Sequence, residues 1–208
     1  MYIPPAFKID DDATLRTFIE RNSFAIVVTE SDSGLFASHL PILLTDNNGA
    51  LSLSGHMAIA NPQWRHFESG KEVLCVFSGP HSYVSPSWYQ TAPAVPTWNY
   101  AAVHVYGRPG VVSDPNQLAA ILDETIRRYE GGNAGEYGRS LPPEYRARMM
   151  AGIVGFQIEI SRIEGKFKLG QNRSPEDLGG VFNALHSSND PEARKLAGFM
   201  QEQGIAGC

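Results

Sequence analysis

Cysteine is scarce in this 208-residue chain: Cys75 sits inside an apolar run and Cys208 is the last residue. A disulfide framework is therefore excluded, and both thiols are expected to be reduced. No stretch approaches the roughly 20 apolar residues of a membrane-spanning helix. The opening MYIPPAFKIDDD has neither a basic region followed by an apolar core nor an Arg-rich amphipathic pattern. A cytoplasmic protein is the expectation, and the Asn172-Arg173-Ser174 triplet then carries no glycosylation meaning. No GxGxxG or GxxxxGKS/T occurs, so a dinucleotide fold or a P-loop ATPase would have no phosphate loop to use. No GxSxG elbow supports serine hydrolysis. The six histidines are scattered, and no metal site is read from them. Positive charge is also short, with 17 Lys and Arg against 22 Asp and Glu and a formal net charge of −5. A large nonspecific nucleic-acid surface is thereby disfavoured, and any contact with DNA has to be local.

What remains is the composition of an ordinary globular protein, 42% hydrophobic and 19% charged, without repeats or low-complexity segments. The length suits one domain with a proper core and a small helical appendage. The rest is organised around residues 79–107, GPHSYVSPSWYQTAPAVPTWNYAAVHVYG, which hold two of the three tryptophans and four of the eight tyrosines. Tyr and Trp bury large areas but carry a polar end that needs a partner. Mixed with Ser, Thr, Asn and His, they suit a flat polar ring system, whereas a plain core would use Leu, Ile and Val. Ser85-Pro86 and Val95-Pro96 hold the intervening loop extended. A β-rich core with a long hairpin is the competing reading. Downstream of Pro96, Trp98, Tyr100, Ala102, His104 and Tyr106 share one strand face, while Thr97, Asn99, Ala101, Val103 and Val105 share the other.

Along the chain, Asp11 or Asp12 caps a helix with Leu15, Phe18 and Ile19 as its apolar stripe. Strands are expected over 24–29, 35–44, 50–54, 72–77, 97–112 and 153–160, with Pro41 marking an edge or a bulge. Asp46-Asn47-Asn48-Gly49 is a hairpin turn. Asn61 caps a short helix to about Glu68, Asp114-Pro115 starts the clearest helix, and a short helix follows Pro143. Residues 130–140 read as a mobile loop. Two helices close the chain over 174–187 and 190–203. The sum is mainly β with peripheral helices (α+β): a closed or split β-barrel of six to seven mostly antiparallel strands, Greek-key type. The domain expectation is 1–170 for the barrel and 171–208 for a C-terminal helical extension packed on it.

Three segments have a ligand site's composition. Residues 55–64 run from a strand end into a helix N-terminus, where backbone donors suit an anion, as at any helix start. The aromatic stretch is the second. Residues 164–173 place Lys166, Lys168, Gln171, Asn172 and Arg173 after a strand, either to hold a phosphate and a ring's amide edge or simply as a solvated basic turn.

GHMAIANPQW (55–64), GPHSYVSPSWY (79–89), VPTWNYAAVHVYG (95–107) and KFKLGQNR (166–173), with the opening MYIPPAF, resemble the PaiB family of FMN-binding negative transcriptional regulators. The resemblance runs from Met1 to about Asn172. It implies a split β-barrel related to pyridoxamine phosphate oxidases and flavin reductases, and a homodimer with FMN at the subunit interface. Carried over by motif, His56, Asn61 and Trp64, then Ser85, Trp88 and Tyr89, then Thr97, Trp98, Asn99 and Tyr100 would line the flavin site, and Lys168, Gln171 and Asn172 would close it. Lys168 or Arg173 is expected at the phosphate, with aromatic rings on the isoalloxazine. Two departures stand out. Gly170 replaces the serine of the usual KLSQNR, and residues 90–95 lack the lysine or glutamate often found there.

The function implied is FMN-dependent regulation of transcription, although no basic recognition helix is visible in the C-terminal pair. The alternative is a flavin-dependent oxidoreductase or flavin reductase using NAD(P)H, by analogy with relatives of the fold. Haem ligation by His104 or His56 is a third and weaker reading.

Overall fold

In a computed structural model of the chain, residues 1–47, 49–131 and 141–206 are described. Most of the expected loop at 130–140, together with Asn48 and Cys208, lies outside them. Among the described residues, eight strands alternate with five α-helices and three 3-10 segments. In chain order they are β1 (Lys8–Ile9), α1 (Asp12–Arg21), β2 (Phe24–Ser31), β3 (Gly34–Pro41), β4 (Leu43–Asn47), β5 (Ala50–Ala58), β6 (Val73–Val84), β7 (Thr97–Val112), α2 (Pro115–Glu130), α3 (Pro143–Met150), β8 (Ile153–Lys168), α4 (Pro175–His186) and α5 (Pro191–Glu202).

The strand order is β3-β2-β6-β7-β8-β5-β4, with β1 added beside β8. The registered pairings of β2 with β3 and β6, of β5 with β4 and β8, and of β1 with β8 are antiparallel. Two short strands lift the count above the expected six to seven. One is β1. The other is β4, split from β3 where the Ile42 N–H turns to the Ser23 carbonyl at 2.8 Å. Pro41, which lacks a ladder donor, ends β3 at one end of the strand order, as an edge proline should.

The helix ends follow from their capping residues. Asp11 accepts from the Thr14 backbone at 2.8 Å, and Asp114, Ser174 and Asp190 accept from the first turns of α2, α4 and α5, each with proline just inside. Residues 62–69 form a 3-10 helix, with fewer residues per turn than an α-helix. Asn61 caps it, and the buried Gln63 is tied by its side-chain amide to the Val27 carbonyl at 2.8 Å.

Strands β5, β6 and β8 outrun their expected ends by four residues or more, and β2 by two. Gly55 and Gly79, just past the expected ends of their strands, each lie inside one, where a neighbour comes too close for a side chain. A Cβ would fall 2.9 Å from the Phe156 ring at Gly55 and 2.7 Å from the Phe18 ring at Gly79. Strand β5 therefore continues through His56, paired with Gly155, and β8 carries on to Lys168.

The chain divides into two compact units. The first comprises Met1–Phe18, Ser78–His104 and Glu164–Cys208. Its core gathers Phe18, Phe167 and Phe199, with the Phe167 centroid 5.0 Å from each of the other two, over Leu169, Val181, Leu185, Leu196 and Met200. The second comprises Ile19–Phe77 and Val105–Ile163. There Phe67 and Phe156 meet edge to face at 5.5 Å among Val27, Ile42, Leu53, Met57 and Ile158. Cys75 is sealed in this core, where burial pushes its thiol up to about 12.

Candidate functional site

In the first unit β6, β7 and β8 are successive neighbours, and they present rings and cations on one face. Trp98 on β7 is 48% exposed, and its ring lies 5.9 Å from His81 and 6.4 Å from Tyr83, both on β6. On β8, the Lys168 ammonium donates to the Trp98 carbonyl at 3.0 Å and to the Thr97 hydroxyl. Burial pushes the pKa of this ammonium down, the Tyr100 phenol opposing and the Lys166 charge adding to it. Lys166, two residues back on the same face, lies 5.2 Å from the Tyr100 ring. Thr97, Trp98, Tyr100 and Lys168 are thus brought together.

The other expected residues of this unit have different surroundings. Asn99 points to the opposite face of β7 and is buried. Gln171 spends both ends of its amide on its own turn, accepting from the Leu169 N–H at 2.8 Å and donating to the Phe167 carbonyl at 2.5 Å. Asn172 is exposed. Ser85 caps the 3-10 turn Pro86–Trp88, leaving Trp88 half-buried. The Arg173 guanidinium stacks on Tyr89 at 4.3 Å, which uses the cation on a ring instead of holding it open for an anion.

His56, Asn61 and Trp64 belong to the second unit. The Asn61 amide is engaged at both ends, with the Gln63 N–H and the Ser38 hydroxyl. The Trp64 indole donates to the Ile59 carbonyl at 3.1 Å. His56 differs from both: its Nδ1 is buried with no hydrogen-bond partner among the described residues, and burial pushes its pKa down.

Sequence reasoning missed Asp177 and Gly180. Asp177 is 2% exposed, and its carboxylate accepts from the Gln90 N–H at 2.8 Å, the Thr91 N–H at 3.0 Å and the Thr91 hydroxyl at 2.7 Å. It clamps the loop that follows Trp88 and Tyr89 to the start of α4. Its place three residues after a capping serine was the only available signal, and that pattern reads as helix-start chemistry alone. The Thr91 hydroxyl holds the Asp177 carboxyl below its ordinary value of 3.8, so this clamp contributes stability above that value and loses it as pH falls through the lowered one. Acid unfolding monitored below about pH 4 should therefore be steeper in the native chain than in Asp177→Asn. Equal pH profiles would remove the clamp's role.

A family model described as "Putative FMN-binding domain" matches residues 1–162. The chain is 37% identical over 204 residues, 98% of both chains, to the protease synthase and sporulation protein PAI 2 of Bacillus subtilis (strain 168). It is 32% identical over 241 residues to an uncharacterized protein of Aspergillus fumigatus, covering 91% of this chain and 92% of that one. Among solved structures it is similar to the flavocytochrome Anf3 from Azotobacter vinelandii, with a TM-score of 0.63 and 16% identity over 79% of this chain and 70% of that one. It is also similar to the FAD and heme binding protein from Mycobacterium smegmatis, with a TM-score of 0.61 and 16% identity over 82% of this chain and 78% of that one. The fold is that of the split β-barrels. Within that class, the chain belongs to the FMN-binding PaiB family.

Proposed function

We propose that this chain binds FMN and acts, as a pair of identical subunits, as a flavin-dependent regulatory protein of the PaiB type. The observation that carries the reading is the ring-and-cation face of the first unit. A flat tricycle with polar edges needs exposed aromatic surface beside hydrogen-bonding groups, and a phosphate ester needs cations that no carboxylate has claimed. Trp98 and Tyr83, 48% and 45% exposed, offer the first; Lys168, with no carboxylate partner among the described residues, offers the second. The residues present therefore fit the group.

When bound, FMN would supply redox chemistry that the side chains lack. The chain's part is to bind and orient it: Trp98 gives a stacking surface, Tyr100 and Thr97 line the same strand end, and Lys168 meets the phosphate. The exposed rings at Tyr83 and Trp98 also support pairing of two copies through this face, since aromatic surface of this kind marks interfaces. The regulatory role is supported by membership in the PaiB family.

Titration of FMN against the purified protein, followed by quenching of flavin fluorescence, tests the reading. Trp98→Ala should weaken binding about tenfold or more, the effect of losing one aromatic stacking partner. Equal affinity in the two proteins would refute the placement at Trp98, and absence of any quenching in the native protein would refute the function.

A further inference from the structure

The chain has five lysines, at positions 8, 71, 166, 168 and 195. Four of their amines are already committed. On the exposed surface, Lys8 is paired with Asp10 at 2.6 Å, Lys71 with Glu30 at 3.1 Å and Lys195 with Glu192 at 2.6 Å. Lys166 is only 7% exposed and donates to the Tyr2 carbonyl at 3.0 Å, with the Tyr2 and Tyr100 rings 5.5 Å and 5.2 Å away.

Lys168 differs from all four. It is half-buried, so solvent still reaches it, and no carboxylate pairs with it among the described residues. Its partners are two acceptors, the Trp98 carbonyl at 3.0 Å and the Thr97 hydroxyl oxygen. An ammonium has three N–H donors and no lone pair, whereas a neutral amine has two donors and one lone pair. Two acceptors therefore satisfy the neutral amine in full, while the third N–H of the ammonium is left without a protein acceptor. Burial works in the same direction and pushes the pKa down, the Tyr100 phenol opposing and the Lys166 charge adding to it. Only the neutral amine is a nucleophile, and lysines out of water and away from carboxylates are the ones that shed the proton.

We infer that Lys168 is a covalent modification site, the lysine of this chain that an activated acyl group, carried as an acyl phosphate or an acyl thioester, modifies first. The lone pair of the neutral Lys168 Nζ attacks the acyl carbon, and the bond from that carbon to the phosphate oxygen or thiol sulfur breaks. The leaving group departs with the bonding pair, and the nitrogen gives up one proton to solvent as the amide forms. The product has lost its charge and keeps a single N–H, so Thr97 and Trp98 can no longer both be served. Under the flavin reading above, Lys168 meets the phosphate; acylation then weakens flavin binding, and bound flavin shields the amine. That consequence rests on the flavin reading, whereas the modification site does not.

The test treats the full chain with acetyl phosphate and, separately, with acetyl coenzyme A, and follows each lysine by peptide mass spectrometry. Lys168 should be acetylated roughly twofold to fivefold faster than Lys8, Lys71 or Lys195, the factor by which an exposed ion pair ties up its amine. This lead should vanish in the guanidinium-unfolded chain, where the ion pairs and the Thr97 and Trp98 contacts are gone. Labelling of Lys168 first by either donor supports the site, and the donor that reacts identifies the source. Labelling by neither donor overturns the site. So does a rate no faster than that of the paired lysines, or a lead that persists in the unfolded chain. The flavin consequence is read separately: saturating FMN should slow labelling at Lys168 alone, and the acetylated protein should bind FMN about tenfold more weakly, as for a lost charge-assisted contact. If Lys168 is labelled first but FMN neither protects it nor loses affinity, the modification site stands and the placement of the phosphate at Lys168 falls.

Discussion

Phe167→Ala should cost about 3–5 kcal/mol of stability, the usual range for emptying a buried phenylalanine site. At roughly 2–4 °C per kcal/mol for a chain of this size, the melting temperature would drop by roughly 6–20 °C. Phe167 is 1% exposed and sits between Phe18 and Phe199, which lie within 6.0 Å of each other, so no small neighbour can move in to fill the space. It also lies between Lys166 and Lys168 in sequence and points to the opposite face of β8. Its ring anchors the strand that presents both cations. FMN affinity should therefore fall with stability even though Phe167 does not share their face. Thermal unfolding by circular dichroism checks the first effect, and a drop of only a degree or two would contradict the packing.

The second large effect is expected at Gly180. A Cβ there would lie 2.1 Å from the carbonyl oxygen of Trp88, and this obstacle is backbone. The oxygen has little freedom to yield, because Asp177 holds Gln90 and Thr91, two and three residues further on, by their N–H groups. Gly180→Ala should cost about 1–3 kcal/mol through overpacking. It should also push the segment carrying Trp88 and Tyr89 off α4. The adjacent Gly179 supplies the control. Nothing lies within 4 Å of its Cβ position, so Gly179→Ala should be neutral or gain up to about 1 kcal/mol from helix propensity. A lowered Tm for Gly180→Ala against an unchanged or raised Tm for Gly179→Ala, with FMN affinity lowered only in Gly180→Ala, is the expected result. Matching shifts would mean that α4 does not dock through Gly180.

Much of this fold is legible because its signals are local. The Asp-Pro and Ser-Pro starts of α2, α4 and α5 were readable, and β7 runs over the expected 97–112 because its buried positions keep one phase from Asn99 to Val105. The strands read too short lose that phase. In β8 the buried apolar side chains change from Phe156 and Ile158 to Phe167, an even-to-odd slip that Leu169 continues just past the strand, and a two-residue period therefore ends near Ile160. Strand β6 slips likewise between Phe77 and Ser82. Both slips bracket points where the chain passes from one compact unit to the other, at Phe77 to Ser78 and at Ile163 to Glu164. The slip in β8 also explains why 164–173 read as following the strand, either as a phosphate site or as a solvated basic turn, instead of as part of it. The burial of Lys166 depends on Tyr2 and Tyr100, residues distant in sequence.

The site was legible in kind more than in detail. Trp98 and Tyr100 share a face of β7 as their alternate positions required, whereas Thr97, whose position puts it on the other face, is reached by the Lys168 ammonium at the start of the strand. The polar groups of Asn61, Gln171 and Trp64 are committed to backbone or capping partners that no spacing rule reveals. Asp177 carries an unremarkable helix-start signature and becomes important only because residues 90 and 91 come to meet it.

The most direct measurement is a crystal structure of the protein grown with FMN. The account predicts the isoalloxazine against Trp98, with the phosphate within hydrogen-bond reach of Lys168 Nζ. A flavin bound elsewhere on the chain, or bound with its phosphate directed away from Lys168, would contradict it.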